Sequence, residues 1–174
     1  MEIINVISKR FSPYEFNDIP ILKQDLNTLF EAAGKAASAF NEQPWRFVYA
    51  LKSDEKNFNT IWECLVEGNQ KWTKDVAVLL ITVVKKEFTQ NGKANVTAMH
   101  DLGLAVGNLS AQATAMGIHL HQMSGILHEK AISNLNIPEG YEPVTAIAIG
   151  YYDGEFVEKP RKAITEITFE GKWK

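Results

Sequence analysis

Ala36-Ala37-Ser38-Ala39-Phe40-Asn41-Glu42-Gln43-Pro44-Trp45-Arg46-Phe47 joins an amphipathic helical pattern to a strand-like run. Neither helix nor strand packing calls for small residues, an Asn, a Gln and a Pro-Trp pair in that order. Small side chains let a flat ligand approach the backbone. The Asn41 amide offers donors and an acceptor to the edge of a heterocycle. Pro44 sets the direction of the chain, and Trp45 is a large rigid wall. By residue type alone the stretch reads equally well as an ordinary helix–strand loop, so its neighbours decide.

Upstream, Leu22, Leu26, Leu29, Phe30 and Ala33 recur at helical spacing, after start signals at Asn17, Asp18 and Pro20 and before Gly34. Ile3, Ile4 and Ile7 predict a short helix ending near Lys9. Arg10 to Phe16 is irregular, because Pro13 cannot donate and turns Ser12 away from helix. Downstream, Phe47 to Leu51 reads as a strand. Phe58, Ile61, Trp62 and Leu65 form a helix face with Ser53 or Asp54 as N-cap. Asn69 to Trp72 reads as a short polar-aromatic link. Val76 to Val84 is the expected central strand, apolar on both faces. Lys85 to Asn95, polar and turning at Asn91-Gly92, reads as a mobile loop.

The longest helix is expected over about Thr97 to Met116, with Ala98, Leu102, Ala105, Leu109, Ala113 and Met116 on its core face and Gly117 after its end. Gly103, Gly107, Ser110 and Thr114 make a second face of small residues. Each glycine costs about 1 kcal/mol against Ala, so this face predicts close approach by another helix, a second subunit or a ligand. Ile118 to Met123 and Pro143 to Tyr151 read as strands, separated by a small helix with Ala131, Leu135 and Ile137 that closes at Pro138. The tail, with Ile164, Ile167, Phe169 and Trp173, is too apolar to be expected free in solvent. The mixture is an α+β pattern, read as one domain over 1–174.

At 174 residues the chain can bury a sizeable core, and its net charge of −3 argues against a nucleic-acid face. The single Cys64 excludes an internal disulfide and fits a reducing compartment. Met1 to Ser8 does not make a signal peptide, and Val76 to Val84 is far too short to span a membrane. The cytoplasm is the expected location, with no membrane partner.

Three chemistries present themselves. Arg10 and Ser12, two apart in an extended segment, can face one side, and Arg161 and Lys162 follow a Pro. Guanidinium forks and a hydroxyl suit a phosphate, although solvated surface charge accounts for any one of them singly. No Walker loop or Gly-rich dinucleotide fingerprint is present. His119 and His121 share one strand face, with His100-Asp101 and His128-Glu129 elsewhere. Without a Cys pair or a helical His-Glu-x-x-His pattern, no metal is expected. Ser124-Gly125 lacks a nucleophile elbow and Ser38 lacks a partner, so a Ser–His hydrolase is not expected.

Arg10-Phe11-Ser12-Pro13-Tyr14-Glu15-Phe16 resembles the N-terminal Arg-aromatic-Ser-Pro signature of a branch of the FMN-dependent nitroreductase family. Ala36 to Trp45 resembles that family's Ala-Pro-Ser-Ser-x-Asn-x-Gln-Pro-Trp loop. The Asn69–Trp72 link, His100-Asp101-Leu102-Gly103, Gln122-Met123-Ser124-Gly125, Ile149-Gly150-Tyr151 and Lys159-Pro160-Arg161 follow in the family's order. The resemblance implies a nitroreductase-like α+β fold with a central, mostly antiparallel sheet flanked by helices. It also implies a homodimer with FMN at the interface and a C-terminal tail reaching across the partner.

Carried over residue by residue, Arg10 and Ser12, within the segment that includes Phe11 and Tyr14, would hold the FMN phosphate and ribityl end with Arg161 and Lys162. Ala37, Ser38, Ala39 and Asn41 would line the flavin of the partner subunit. Asn69 or Lys71 would approach the pyrimidine edge, and Met123, Ser124 and Gly125 would offer backbone contacts near the reactive nitrogen. The implied activity is hydride transfer from NADH or NADPH through FMN to a nitroaromatic, quinone or other flat acceptor, by ping-pong kinetics. The flavin carries that chemistry, so no catalytic side chain is assigned. Two alternatives are a non-catalytic flavin-binding or regulatory protein and a His-based metal enzyme. Three positions depart from the family: Tyr14 stands for Arg or Lys, Ala37 for the loop's Pro, and Ala39 for a Ser. Losing a buried contact of this kind costs up to about 1–3 kcal/mol, which bears on FMN affinity.

Overall fold

A computed structural model describes residues 2–173. Its elements are α1 (Asn5–Ser8), α2 (Lys23–Gly34), β1 (Trp45–Leu51), α3 (Glu55–Trp62), α4 (Glu67–Thr73), β2 (Val78–Lys85), α5 (Ala98–Ala115), β3 (Ile118–Met123), α6 (His128–Asn134), β4 (Tyr141–Tyr151) and α7 (Ile164–Ile167). A 3₁₀ turn occupies Ala39–Asn41.

The four strands form one sheet in the order β1-β2-β4-β3, every neighbouring pair antiparallel. The Val/Leu/Ile run of β2 is buried from Val78 to Val84 because both of its faces are covered. Leu80 and Val78 point into a core with Leu26, Leu29 and Ala33 of α2 and Ala105 and Leu109 of α5. Leu79 and Ile81 point the other way, into a core with Phe58 and Ile61 of α3. Thr82, the polar residue in this run, is buried and satisfied. Its hydroxyl accepts from the Thr145 N–H at 3.0 Å and lies 2.8 Å from the Thr145 hydroxyl, beside a register shift at Thr82/Val83.

The expected α+β architecture therefore holds, with an antiparallel sheet between helical layers. Asp54 caps α3 by accepting from the Asn57 N–H at 3.3 Å, and the hydrogen bonds from Asn57 hold its carboxyl below the usual range. Two expectations change. The Asn69–Trp72 link lies inside α4. The segment expected as a mobile loop after β2 is closed by a Glu87–Ala94 bridge, a Phe88 N–H to Lys93 O bond of 2.9 Å and a left-handed Gly92. Gly103 and Gly107 are exposed, and beyond the adjoining backbone of α5 no described atom lies within 4 Å of a Cβ built on either. Among the described residues no other helix makes the close approach that those glycines predict, which leaves that face to a second subunit or a ligand. The tail likewise leaves Ile164, Ile167 and Trp173 exposed in the single chain. Among the described residues no helix is long and apolar enough to cross a membrane.

Candidate cofactor site

The irregular segment 10–16 lies along β3, the edge strand. His119 and His121 project to the same side of β3, and each supports one aromatic residue of the segment. Phe11 packs on His119, Tyr152 and Phe156, with ring centroids 6.4, 5.4 and 5.9 Å away. Tyr14 packs on His121 at 4.4 Å and on Trp72 at 5.2 Å. His121 Nδ1 lies 2.8 Å from the Pro13 carbonyl oxygen. That acceptor fixes the proton on Nδ1. Burial pushes the His119 pKa down, and its Nδ1 has no partner among the described residues. Both histidines thus serve as aromatic seats for this segment. Among the described residues no three His, Cys, Asp or Glu side chains group as a metal site.

This seating brings the two ends of the chain together. Arg10, Phe11 and Ser12 line a cleft of about 300 Å³ with Phe156, Lys159 and Arg161. Arg10 Nη1 donates to Ser12 Oγ at 3.0 Å, which orients the guanidinium. No ion pair involves Arg10, Lys159 or Arg161 among the described residues, although Glu158 also borders the cleft. Three cations and a hydroxyl around one opening suit an anion. Lys162 is not among the lining residues, whereas Lys159 is. The alternation Lys159-Pro160-Arg161 repeats the spacing of Arg10 and Ser12, a signal that would have found Lys159.

At the far end of β3 the chain turns at Ser124-Gly125 and is zipped to the α3–α4 connection. The Val66 N–H and the Asn69 side-chain amide both donate to the Gly125 carbonyl, at 3.1 and 2.9 Å, and Leu65 bridges Ile126. A Cβ on Gly125 would stand 2.7 Å from both Asn69 Nδ2 and Val66 Cγ2. Gly125→Ala is therefore expected to separate Asn69 from the turn and cost about 1–3 kcal/mol in a denaturant melt. A variant as stable as the parent would show that this junction yields freely. Met123 is buried and Ser124 exposed, so Met123 offers a ligand its backbone only. Lys71 pairs with Glu67 at 2.9 Å on the exposed face of α4.

Three of the four described non-glycine residues with positive φ lie in the loop before β1. Phe40, Asn41 and Gln43 have φ of +52, +56 and +50°. Left-handed conformation costs an L-residue roughly 1–2 kcal/mol, least for Asn. The Asp101 carboxylate, buried on α5, accepts from the Ala39 N–H at 2.9 Å. Ser38 Oγ accepts from the Gln43 N–H at 3.0 Å. Glu42 takes Lys85 Nζ at 2.9 Å and the Thr89 N–H at 2.9 Å. The bonds from Thr89 and Lys85 lower its pKa to about 2. A carboxyl depressed this way stabilises the fold fully above its unfolded value of about 4.5, and the contribution is lost as pH falls towards 2.

A profile described as the Nitroreductase family matches this chain over residues 7–71 and 56–151, which together take in most of it. The chain belongs to the nitroreductase family. A solved structure described as an oxidoreductase containing FMN is 33% identical, with a TM-score of 0.92, covering 100% of this chain and 94% of that one. FMN reductase [NAD(P)H] of Bacillus subtilis is 22% identical over 92% of this chain and 70% of its own length. A nitroreductase family protein from Clostridium difficile shares the fold with a TM-score of 0.82 at 18% identity, covering 99% of this chain and 100% of that one. For this family member, β1 and β3 are opposite sheet edges. The Ala36–Gln43 loop enters the sheet where Trp45, Val84 and Glu142 pair, and the Arg10 cleft lies by His119 and Gly150, so loop and cleft stand at opposite edges and opposite ends of the sheet.

Proposed function

We propose that this chain is an FMN-dependent oxidoreductase that takes hydride from NADH or NADPH and reduces a flat acceptor such as a nitroaromatic or a quinone. The observation that carries the reading is the convergence of Arg10 and Ser12 with Lys159 and Arg161, from opposite ends of the chain, on one cleft. Its donor set fits a phosphate monoester, and the relatives named for FMN and NAD(P)H support the choice of group.

FMN, when bound, supplies the hydride chemistry; the residues of this chain bind and orient it. Arg10, Ser12 and Arg161 grip the phosphate, with Lys159 adding charge. Phe11 and Tyr14 hold that segment against β3. The Asn69 amide and the Ser124-Gly125 backbone would hold the flavin ring, at which nicotinamide and acceptor would react in turn by a ping-pong cycle. A homodimer accounts for the remaining parts. Opposite sheet edges let Ala37, Ser38, Ala39 and Asn41 serve the flavin gripped by the partner. The open Gly103/Gly107 face and the exposed tail then find cover in the second copy.

The test is direct. Purified protein is expected to be yellow or to take up added FMN, and to bleach with NADH or NADPH under anaerobic conditions. Protein that neither binds FMN nor oxidises NAD(P)H would sink the reading. Colour without bleaching by either nicotinamide would make it a flavin-binding protein without turnover.

A further inference from the structure

The geometry points to Glu42 as a positioning residue that latches the strained flavin-facing loop to the segment after β2. This inference rests on the cofactor reading above, and it concerns a residue to which that reading gives no role. Glu42 sits between Asn41 and Gln43, both left-handed. Its side chain is only 7% exposed, and that of Lys85 19%. One carboxylate oxygen receives Lys85 Nζ at 2.9 Å and the Thr89 hydroxyl; the other receives the Thr89 N–H at 2.9 Å. Lys85 is itself fixed, because its backbone N–H donates to the Pro44 carbonyl at 2.8 Å. Phe40, 80% exposed, meets Phe88 edge to face at 5.6 Å and closes the contact beside the ion pair.

The arrangement has two anchors with different work. Asp101 holds the start of the loop through the Ala39 N–H. Glu42 holds its end, through side-chain contacts to Lys85 and Thr89 that add to the bond from the Lys85 N–H to the Pro44 carbonyl. A backbone with three left-handed residues relaxes when one end is freed. Without Glu42, Asn41 and Ala39 are free to leave the orientation in which they meet a ring. The cost falls on pre-organisation of the site rather than on the core, since neither Glu42 nor Thr89 belongs to either apolar cluster.

The test compares wild type with Glu42→Ala and Thr89→Ala by amide exchange, by FMN titration and by melting. Glu42→Ala is expected to melt several degrees lower, losing the carboxylate's contribution to folding, and Thr89→Ala to fall by less. Exchange at residues 39–43 and 88–93 should rise at least about tenfold more than exchange in β2. FMN dissociation constants should rise about 5–20-fold while kcat at saturating FMN stays within about twofold. A uniform rise in exchange, tracking the lower melting point, would make Glu42 a general stabiliser and overturn the inference. So would unchanged local exchange. If wild type binds no FMN, the cofactor reading fails, and the exchange comparison, which needs no flavin, still decides whether the latch exists.

Discussion

Arg10→Ala combined with Arg161→Ala is expected to give a folded protein that loses FMN on gel filtration. Each guanidinium reaches the same cleft, one from the N-terminal segment and one from the chain beyond β4. A charge-assisted hydrogen bond to phosphate is worth about 1.5–3 kcal/mol, or roughly 10–100-fold in dissociation constant for each Arg. The pair should lose at least about 100-fold, less than the product of the singles, because the two share one anion. Both side chains lie outside the apolar clusters, so melting should shift by only a degree or two. Arg10→Lys should recover part of the loss, since Lys keeps the charge without the fork. Ser12→Ala, which removes the acceptor that orients Arg10, should fall between. Retention unchanged in the double variant, measured by fluorescence titration of released flavin, would put the phosphate elsewhere.

What the sequence made legible follows from local rules. β2 was readable because an unbroken apolar run has few other homes, and α5 because its core face repeats at helical spacing up to Gly117. The Arg-x-Ser motif pointed to the cleft that Arg10 and Ser12 line; the Asn-x-Gln-Pro-Trp loop stands at the other sheet edge and joins a flavin site only in the proposed dimer. α4 was hidden for an equally physical reason. It buries only Thr73, so it carries no apolar stripe. It is held instead by a reciprocal pair across to α3, with Trp62 Nε1 donating to the Gln70 carbonyl at 3.1 Å and Gln70 Nε2 to the Trp62 carbonyl at 3.2 Å. Such a pair depends on tertiary placement, which no periodicity encodes. The histidines of β3 looked like candidate ligands because alternation puts them on one face. Their partners, Phe11 and Tyr14, come from a segment a hundred residues earlier. The contact from Glu42 to Lys85 and Thr89 joins residues unrelated by any spacing rule, and so emerges only from the fold.

The largest stability effect is expected at the centre of β2, where adjacent residues face different cores. Leu80→Ala removes a fully buried side chain from the face under α2 and α5, and Ile81→Ala removes one from the face under α3. Each leaves a cavity that flanking strands on both sides keep from collapsing. Each should therefore cost about 2–5 kcal/mol, against a total stability of about 5–15 kcal/mol for a domain. At this chain length that corresponds to a fall of roughly 5–20 °C in Tm. The two differ in what they disturb. Leu80 shares its core with Leu102 and Ala105 of α5, the helix whose Asp101 holds the Ala39 amide. Ile81 shares its core with Met123 and Ile126, which flank the Ser124-Gly125 turn. Local opening in Leu80→Ala should thus reach the 39–43 loop first, and in Ile81→Ala the turn beside Asn69, as read by native-state amide exchange. A loss below about 1 kcal/mol in both, measured by denaturant unfolding, would mean that β2 is not enclosed between two packed layers. Equal loosening of loop and turn in both variants would mean that the sheet transmits the disturbance as one unit rather than face by face.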